Sequence, residues 1–216
     1  MEKFFAKHKN YWGDKALLLS SGAGFLFFFL SLVANKLATV YANEQASGSV
    51  RDIILNNVPV FNVDFIVNEG ALIFLIFILL FLALEPKRIA FTLKAAAIFI
   101  LIRSLFIMLT HLGPFPEHSF IEKGSLMSSF NLGSDFFFSG HAGLPFLMAL
   151  VFWEDKIARY VSLFASFVFG AAVLLGHLHY SIDVFSAFFI TYSIFRLAAK
   201  LFSKDYKLSR EADNFL

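Results

Sequence analysis

Apolar residues along the chain fall into long runs separated by polar loops. Six runs reach the roughly 20 residues needed to cross the hydrocarbon core of a bilayer: 17–41, 66–84, 92–112, 136–153, 160–177 and 180–202. They predict an all-α, polytopic membrane protein built as a six-transmembrane helix bundle. A single membrane domain, 1–216, then has a core at 17–202 and a cytoplasmic tail at 203–216. Two connections are longer and polar, Asn43 to Asp64 and Gly113 to Asp135, the second carrying Pro114 and Pro116. The others are short. The first run is too long for the apolar core of a signal peptide, and no small-residue cleavage site follows it closely, so it is expected to be retained.

Composition agrees with this pattern. Hydrophobic residues make up 58% and charged residues 16% of the 216, with 31 phenylalanines; a soluble domain averages roughly 45–50% apolar and about 25% charged. The net charge of +2 is too small to point to nucleic acid. With no cysteine, disulfides, thiolate metal sites and a cysteine nucleophile are excluded.

The distribution of charge says more than its total. With the N-terminus placed in the cytoplasm, that side holds 14 of the 18 lysines and arginines. The opposite side holds only Arg51 and Lys123, and Lys36 and Arg103 fall inside spans. By the positive-inside rule both termini are expected in the cytoplasm and the two longer loops on the outer face, exoplasmic or periplasmic.

Ionisable groups within a membrane are costly, so their positions direct attention to function. His111, His118, His141, His177 and His179 all lie in or beside the outer ends of predicted spans, and Glu69, Arg103, Asp135 and Asp183 lie at similar depth. Two local patterns stand out. In Ser139-Gly140-His141 a helix N-terminus offers unpaired N–H groups suited to a phosphate; the same string also reads as a polar cap on an entering helix. In His179-Tyr-Ser-Ile-Asp183 the two ends share a helical face. There a carboxylate can hold one imidazole nitrogen and leave the other facing a substrate; the same pair also reads as a structural contact inside a bundle.

These residues carry a resemblance. The stretch SDFFFSGHAG followed by GHLHYSIDVFSAFFIT resembles the signature pair of sphingomyelin synthases and their relatives, within the type-2 phosphatidic acid phosphatase superfamily. Supporting likeness runs through 51–59, Glu69-Gly70, 102–110 and 113–116, so that it covers about residues 44–201. The resemblance implies a triad of His141, His179 and Asp183. In it His179 attacks phosphorus to give a phospho-histidine, Asp183 orients and charge-balances it, and His141 protonates the leaving oxygen. Asp135, Ser139, Gly140, Arg103, Tyr180 and Glu69 are the candidates for binding substrate around that triad, and no metal or other cofactor is implied. One departure separates the chain from the phosphatase branch. That branch carries an Arg-Pro motif and an arginine a few residues before the nucleophilic histidine, whereas this chain has no Arg-Pro and has Val173 at the second position. A phosphodiester monoanion calls for fewer cations than a monoester dianion. The departure therefore favours transfer of a phosphocholine or phosphoethanolamine headgroup from a glycerophospholipid to ceramide or diacylglycerol, or phospholipase C-type hydrolysis.

Two other readings compete with this one. A phosphatase acting on phosphatidate-like or isoprenyl diphosphate lipids would release free phosphate. A transporter or structural membrane protein would use the histidines for binding or packing alone. The implied partners are phospholipid and lipid-alcohol substrates and the membrane itself, not nucleic acid.

Overall fold

The computed structural model describes residues 2–119 and 137–211, the side chains of 2–7 apart, and all regular structure among them is helical. Helix α1 (Glu2–Gly13) ends at Asp14, whose extended backbone starts α2 (Lys15–Glu44). Asp14 Oδ1 accepts from the N–H groups of Ala16 at 2.8 Å and Leu17 at 3.4 Å, an N-cap that satisfies two donors the first turn leaves open. A π-turn (Ile66–Gly70) runs into α3 (Ala71–Leu84), and a 3-10 turn opened by Pro86 (Pro86–Arg88) runs into α4 (Ile89–Leu109). Then come α5 (Gly140–Val151), α6 (Lys156–Leu175), α7 (Ser181–Leu201) and α8 (Ser203–Arg210). Asp155 caps α6 by accepting from Ala158 N at 2.9 Å.

Five of these segments are long and apolar enough to cross a membrane: Lys15–Glu44, Ile66–Leu84, Pro86–Leu109, Lys156–Leu175 and Ser181–Leu201. Their outer faces carry Leu19, Phe29, Phe164, Phe167 and Phe189, each more than 60% exposed, as expected of surfaces solvated by lipid. The chain is thus an integral membrane protein.

The fourth predicted run differs. Its helix, α5, has 12 residues, or about 18 Å against the roughly 30 Å of a hydrocarbon core. Hydropathy counted the phenylalanines before Ser139 as helix, but Phe137 and Phe138 are spent on packing. The Phe138 ring meets Phe99 at 5.3 Å and Phe106 at 6.2 Å, edge to face. At the far end the turn through Trp153 and Glu154 stops the helix before Asp155 opens the next. Five long helical segments and one short helix therefore stand where six spans were expected.

Contacts gather at the two ends of the helices. At one end His8 Nε2 meets the Ala83 carbonyl at 2.8 Å, Arg88 lies over the rings of Phe81 and Phe152, and Arg210 pairs with Glu154. At the other, the loops 45–64 and 110–119 join each other and the turn between α6 and α7. Ser47 N donates to the His111 carbonyl at 2.8 Å, Phe61 N to Leu175 at 2.9 Å and Ser119 N to Gly176 at 2.8 Å.

Small residues set the helix contacts. The buried residues of α2 are Ser21, Gly24, Ser31, Ala38, Thr39 and Ala42, a narrow face laid along α4 in the manner of membrane helix pairs. At Gly143 of α5 an added Cβ would stand 2.8 Å from Phe99 and 2.9 Å from Thr191 Oγ1, so α5 is wedged between α4 and α7. The segment expected as a tail at 203–216 begins with a docked helix. Asp205 of α8 accepts from Lys94 Nζ of α4 and from Ser20 Oγ of α2, both at 2.6 Å.

Candidate active site

The site is built where α5 begins. Ser139 adopts an extended backbone (φ −61°, ψ 120°), its hydroxyl accepts from Ala142 N at 3.4 Å, and its own N–H donates to the Asp183 carbonyl of α7 at 3.0 Å. That bond fixes the start of α5 against the start of α7. Arg103, buried two turns inside the end of α4, donates from Nε to the Phe138 carbonyl at 2.9 Å. It lies so close across Gly140 that a Cβ there would stand 3.3 Å from Nε. Gly140 thus admits a guanidinium to the N-terminal turn of α5, where the helix dipole already favours an anion.

On the facing side the sequence places His179 and Asp183 one helical turn apart. The structure corrects the reason for their meeting, because α7 begins only at Ser181 and His179 lies in the turn before it. Tyr180 is the extended N-cap (φ −68°, ψ 156°), and Asp183 reaches back to accept from Tyr180 N at 3.0 Å and to meet His179 Nδ1 at 3.4 Å, both through Oδ2. Asp183 is fully buried, and its Oδ1 has no partner among the described residues. His179 is 5% exposed and His141 half-buried, and their rings meet edge to face at 6.4 Å between centroids. Two imidazoles, one backed by a carboxylate, thus meet near Arg103 and the first turn of α5.

The remaining candidates separate. Asp135 lies outside the described residues. Glu69 is exposed on the π-turn, and among the described residues no hydrogen bond or ion pair joins it to His141, His179 or Asp183. Tyr180 is fully buried, and its phenol faces the two loops, donating to the Gly113 carbonyl at 2.9 Å and accepting from Val50 N at 3.2 Å. Burial pushes this phenol up, as do the carboxylates of Asp183 and Asp52, against the lowering bond from Val50, so it keeps the proton it donates. His111 sits against Tyr41 and His118 turns to the carbonyl of Phe115. Of these five histidines only His141 and His179 meet. Among the described residues no three acidic or histidine side chains are grouped as metal ligands.

Residues 133–200 match the family model for the PAP2 superfamily C-terminal region. That segment carries His141, His179 and Asp183, and the match supports the superfamily without selecting a branch of it. It spans about a third of the chain. Such a region fits a lipid phosphatase or phosphotransferase and supports an enzyme. No curated protein and no solved structure matches the chain.

Two residues without a role in the sequence reading support the site from outside. One is His177, whose ring lies between the carbonyls of Glu117 and Val58. The other is Asp52, whose Oδ2 accepts from Ser181 N at 2.7 Å and Ser181 Oγ at 2.8 Å, while Oδ1 accepts from Ile54 N and Leu55 N. It holds the first turn of α7 from 129 residues away, a separation no local pattern reports. Burial alone would push this carboxyl up; the bonds from Ser181, Leu55 and Ile54 outweigh that and hold it below its ordinary value. A depressed folded value contributes stability that is present above the unfolded value of about 3.9 and is lost as pH falls through the folded one. Asp52→Ala leaves these donors unpaired and is expected to cost about 1–3 kcal/mol. Asp52→Asn is expected to remove this acid-sensitive contribution, read as thermal unfolding between neutral pH and about pH 3.

Proposed function

We propose that the chain is a membrane-embedded phosphotransferase that moves a phospho-headgroup, phosphocholine or phosphoethanolamine, from a glycerophospholipid to a lipid alcohol. The observation that carries this is the pair of neighbouring imidazoles with Asp183 behind one of them. His179 Nε2 attacks phosphorus as the bond to the diacylglycerol oxygen breaks, and His141 delivers a proton to that oxygen. Positive charge then gathers on His179, and Asp183 answers it; its buried, unpartnered Oδ1 makes a carboxylate that gains by the change. In the second half His141 takes the proton from the acceptor hydroxyl, whose oxygen attacks phosphorus and releases His179. Water in place of the alcohol gives phospholipase C-type hydrolysis.

Arg103 and the first turn of α5 supply one guanidinium and a few N–H groups, which suits the single charge of a phosphodiester better than the double charge of a monoester. Val173, where the phosphatase branch has an arginine, is buried and apolar. The fourteen-to-two division of basic residues favours a site opening toward the outer leaflet, with both termini in the cytoplasm.

The test uses purified protein in nanodiscs with headgroup-labelled phosphatidylcholine or phosphatidylethanolamine and either ceramide or diacylglycerol. The expected product is a labelled phospholipid of the acceptor or released phosphorylated headgroup. Free phosphate from phosphatidate, with no headgroup transfer, gives the monoester phosphatase instead. Inertness toward all of these lipids rejects both.

A further inference from the structure

The turn between α6 and α7 contains a second histidine that the chemistry above does not use. His177 is 3% exposed and adopts a left-handed backbone, φ 55°, at the end of α6 where glycine or asparagine is the usual choice. Its ring nitrogens point to two separate loops. Nδ1 lies 2.9 Å from the Glu117 carbonyl and Nε2 lies 3.1 Å from the Val58 carbonyl. The Phe115 ring stands edge to face against it at 5.1 Å.

A carbonyl oxygen only accepts. A neutral imidazole has one N–H and one lone pair, so it satisfies one such contact and turns a lone pair on the other. Both contacts are hydrogen bonds only when both nitrogens carry protons. We infer that His177 is a positively charged staple, an imidazolium that joins the loops 45–64 and 110–119 to the turn bearing His179. It is a positioning residue, and its effect on turnover rests on the lipid-transfer reading; the staple itself does not. Asp52 and the Tyr180 phenol grip the same turn, one at Ser181 and the other between Val50 and Gly113. The staple differs from these in being breakable by the loss of a proton. Removing one proton sets a lone pair against an oxygen, and one loop loses its hold on the turn.

Other titratable or charged groups occupy the segments around the ring. These are Arg51, Asp52 and Asp64 on the first loop, His111, Glu117 and His118 on the second, and His179, Tyr180 and Asp183 on the turn and α7. Asp52 is bonded to Ser181, and His179 faces Asp183. A pH effect on the loops alone would not distinguish among these groups, so the readout must come from the His177 ring.

The experiment labels histidine with 15N in the full chain and assigns His177 by the signal lost in His177→Asn, a residue that tolerates the left-handed backbone but is too short to bridge the loops. The expected result is two protonated ring nitrogens for His177. When the pH is raised until one proton leaves, hydrogen exchange in 45–64 or 110–119, corrected for intrinsic rate, quickens by about tenfold, as for one charge-assisted bond. His177→Phe keeps the ring against Phe115 and shows the faster exchange at every pH. A neutral ring with one protonated nitrogen overturns the staple, as does loop exchange in both variants equal to that of the native chain. Lipid turnover is measured separately: an intact staple in an inactive protein would reject the transfer reading and leave the inference standing.

Discussion

His179→Ala is expected to lower lipid turnover at least about 10³-fold and to abolish any covalent phospho-enzyme. The reason is positional. His179 has Asp183 on its Nδ1 at 3.4 Å, which leaves Nε2 as the nitrogen able to attack. Asp183→Asn keeps the size of the side chain and an oxygen to accept from Tyr180 N, but it removes the charge that balances imidazolium and the preference for the reactive tautomer. A fall of about 10⁴-fold is the precedent for such a change in a His–Asp pair. His141→Ala is expected to slow both half-reactions, yet to leave a substrate with a good leaving group able to phosphorylate His179, because such a group needs no proton. Rapid quench with 32P-labelled lipid followed by base-stable, acid-labile label on the protein separates the three variants. Label accumulating on His179→Ala but not on His141→Ala would reverse the two roles.

Much of this was legible before the structure, for reasons that also explain the rest. Runs of about 20 apolar residues exist because lipid leaves backbone groups no partner outside a helix, so hydropathy reports spans directly. It does not report depth. Phe137 and Phe138 are as apolar as any helix interior, yet they pack on Phe99 and Phe106 beneath Arg103, and the fourth helix starts only at Gly140. The interval between His179 and Asp183 predicted their contact, but through the wrong local geometry: a side chain at the third residue of α7 reaches back over an extended N-cap, and the distance comes out much as one helical turn would give. Asp52 and His177 were not legible in these roles. Their partners lie 129, 119 and 60 residues away, and two of the partners are backbone carbonyls, which every residue has. The superfamily match covers 133–200 and so includes His141, His179 and Asp183, but it leaves out Arg103 and both loops that close over the turn.

At the opposite end of the bundle Lys94→Met is expected to destabilise the protein by about 3–5 kcal/mol, the cost of removing one partner of a buried ion pair. Lys94 and Asp205 meet at 2.6 Å with side chains only 11% and 14% exposed, and Ser20 bonds to both. Methionine fills the space of the lysine stem, so little packing is lost. What remains is a buried carboxylate holding one hydroxyl, in a contact that joins α2, α4 and α8. The effect should appear as a lower melting temperature in detergent and as early release of α8 to protease. Adding Asp205→Leu removes the stranded charge and is expected to recover most of the loss, since a buried pair exchanged for apolar groups is often close to neutral. Equal melting of Lys94→Met and the native chain would mean that water reaches the pair. The thirty-residue α2 would then be held to α4 by its small-residue face alone, chiefly the close approach at Gly24, where a Cβ would stand 3.3 Å from the Ala90 carbonyl.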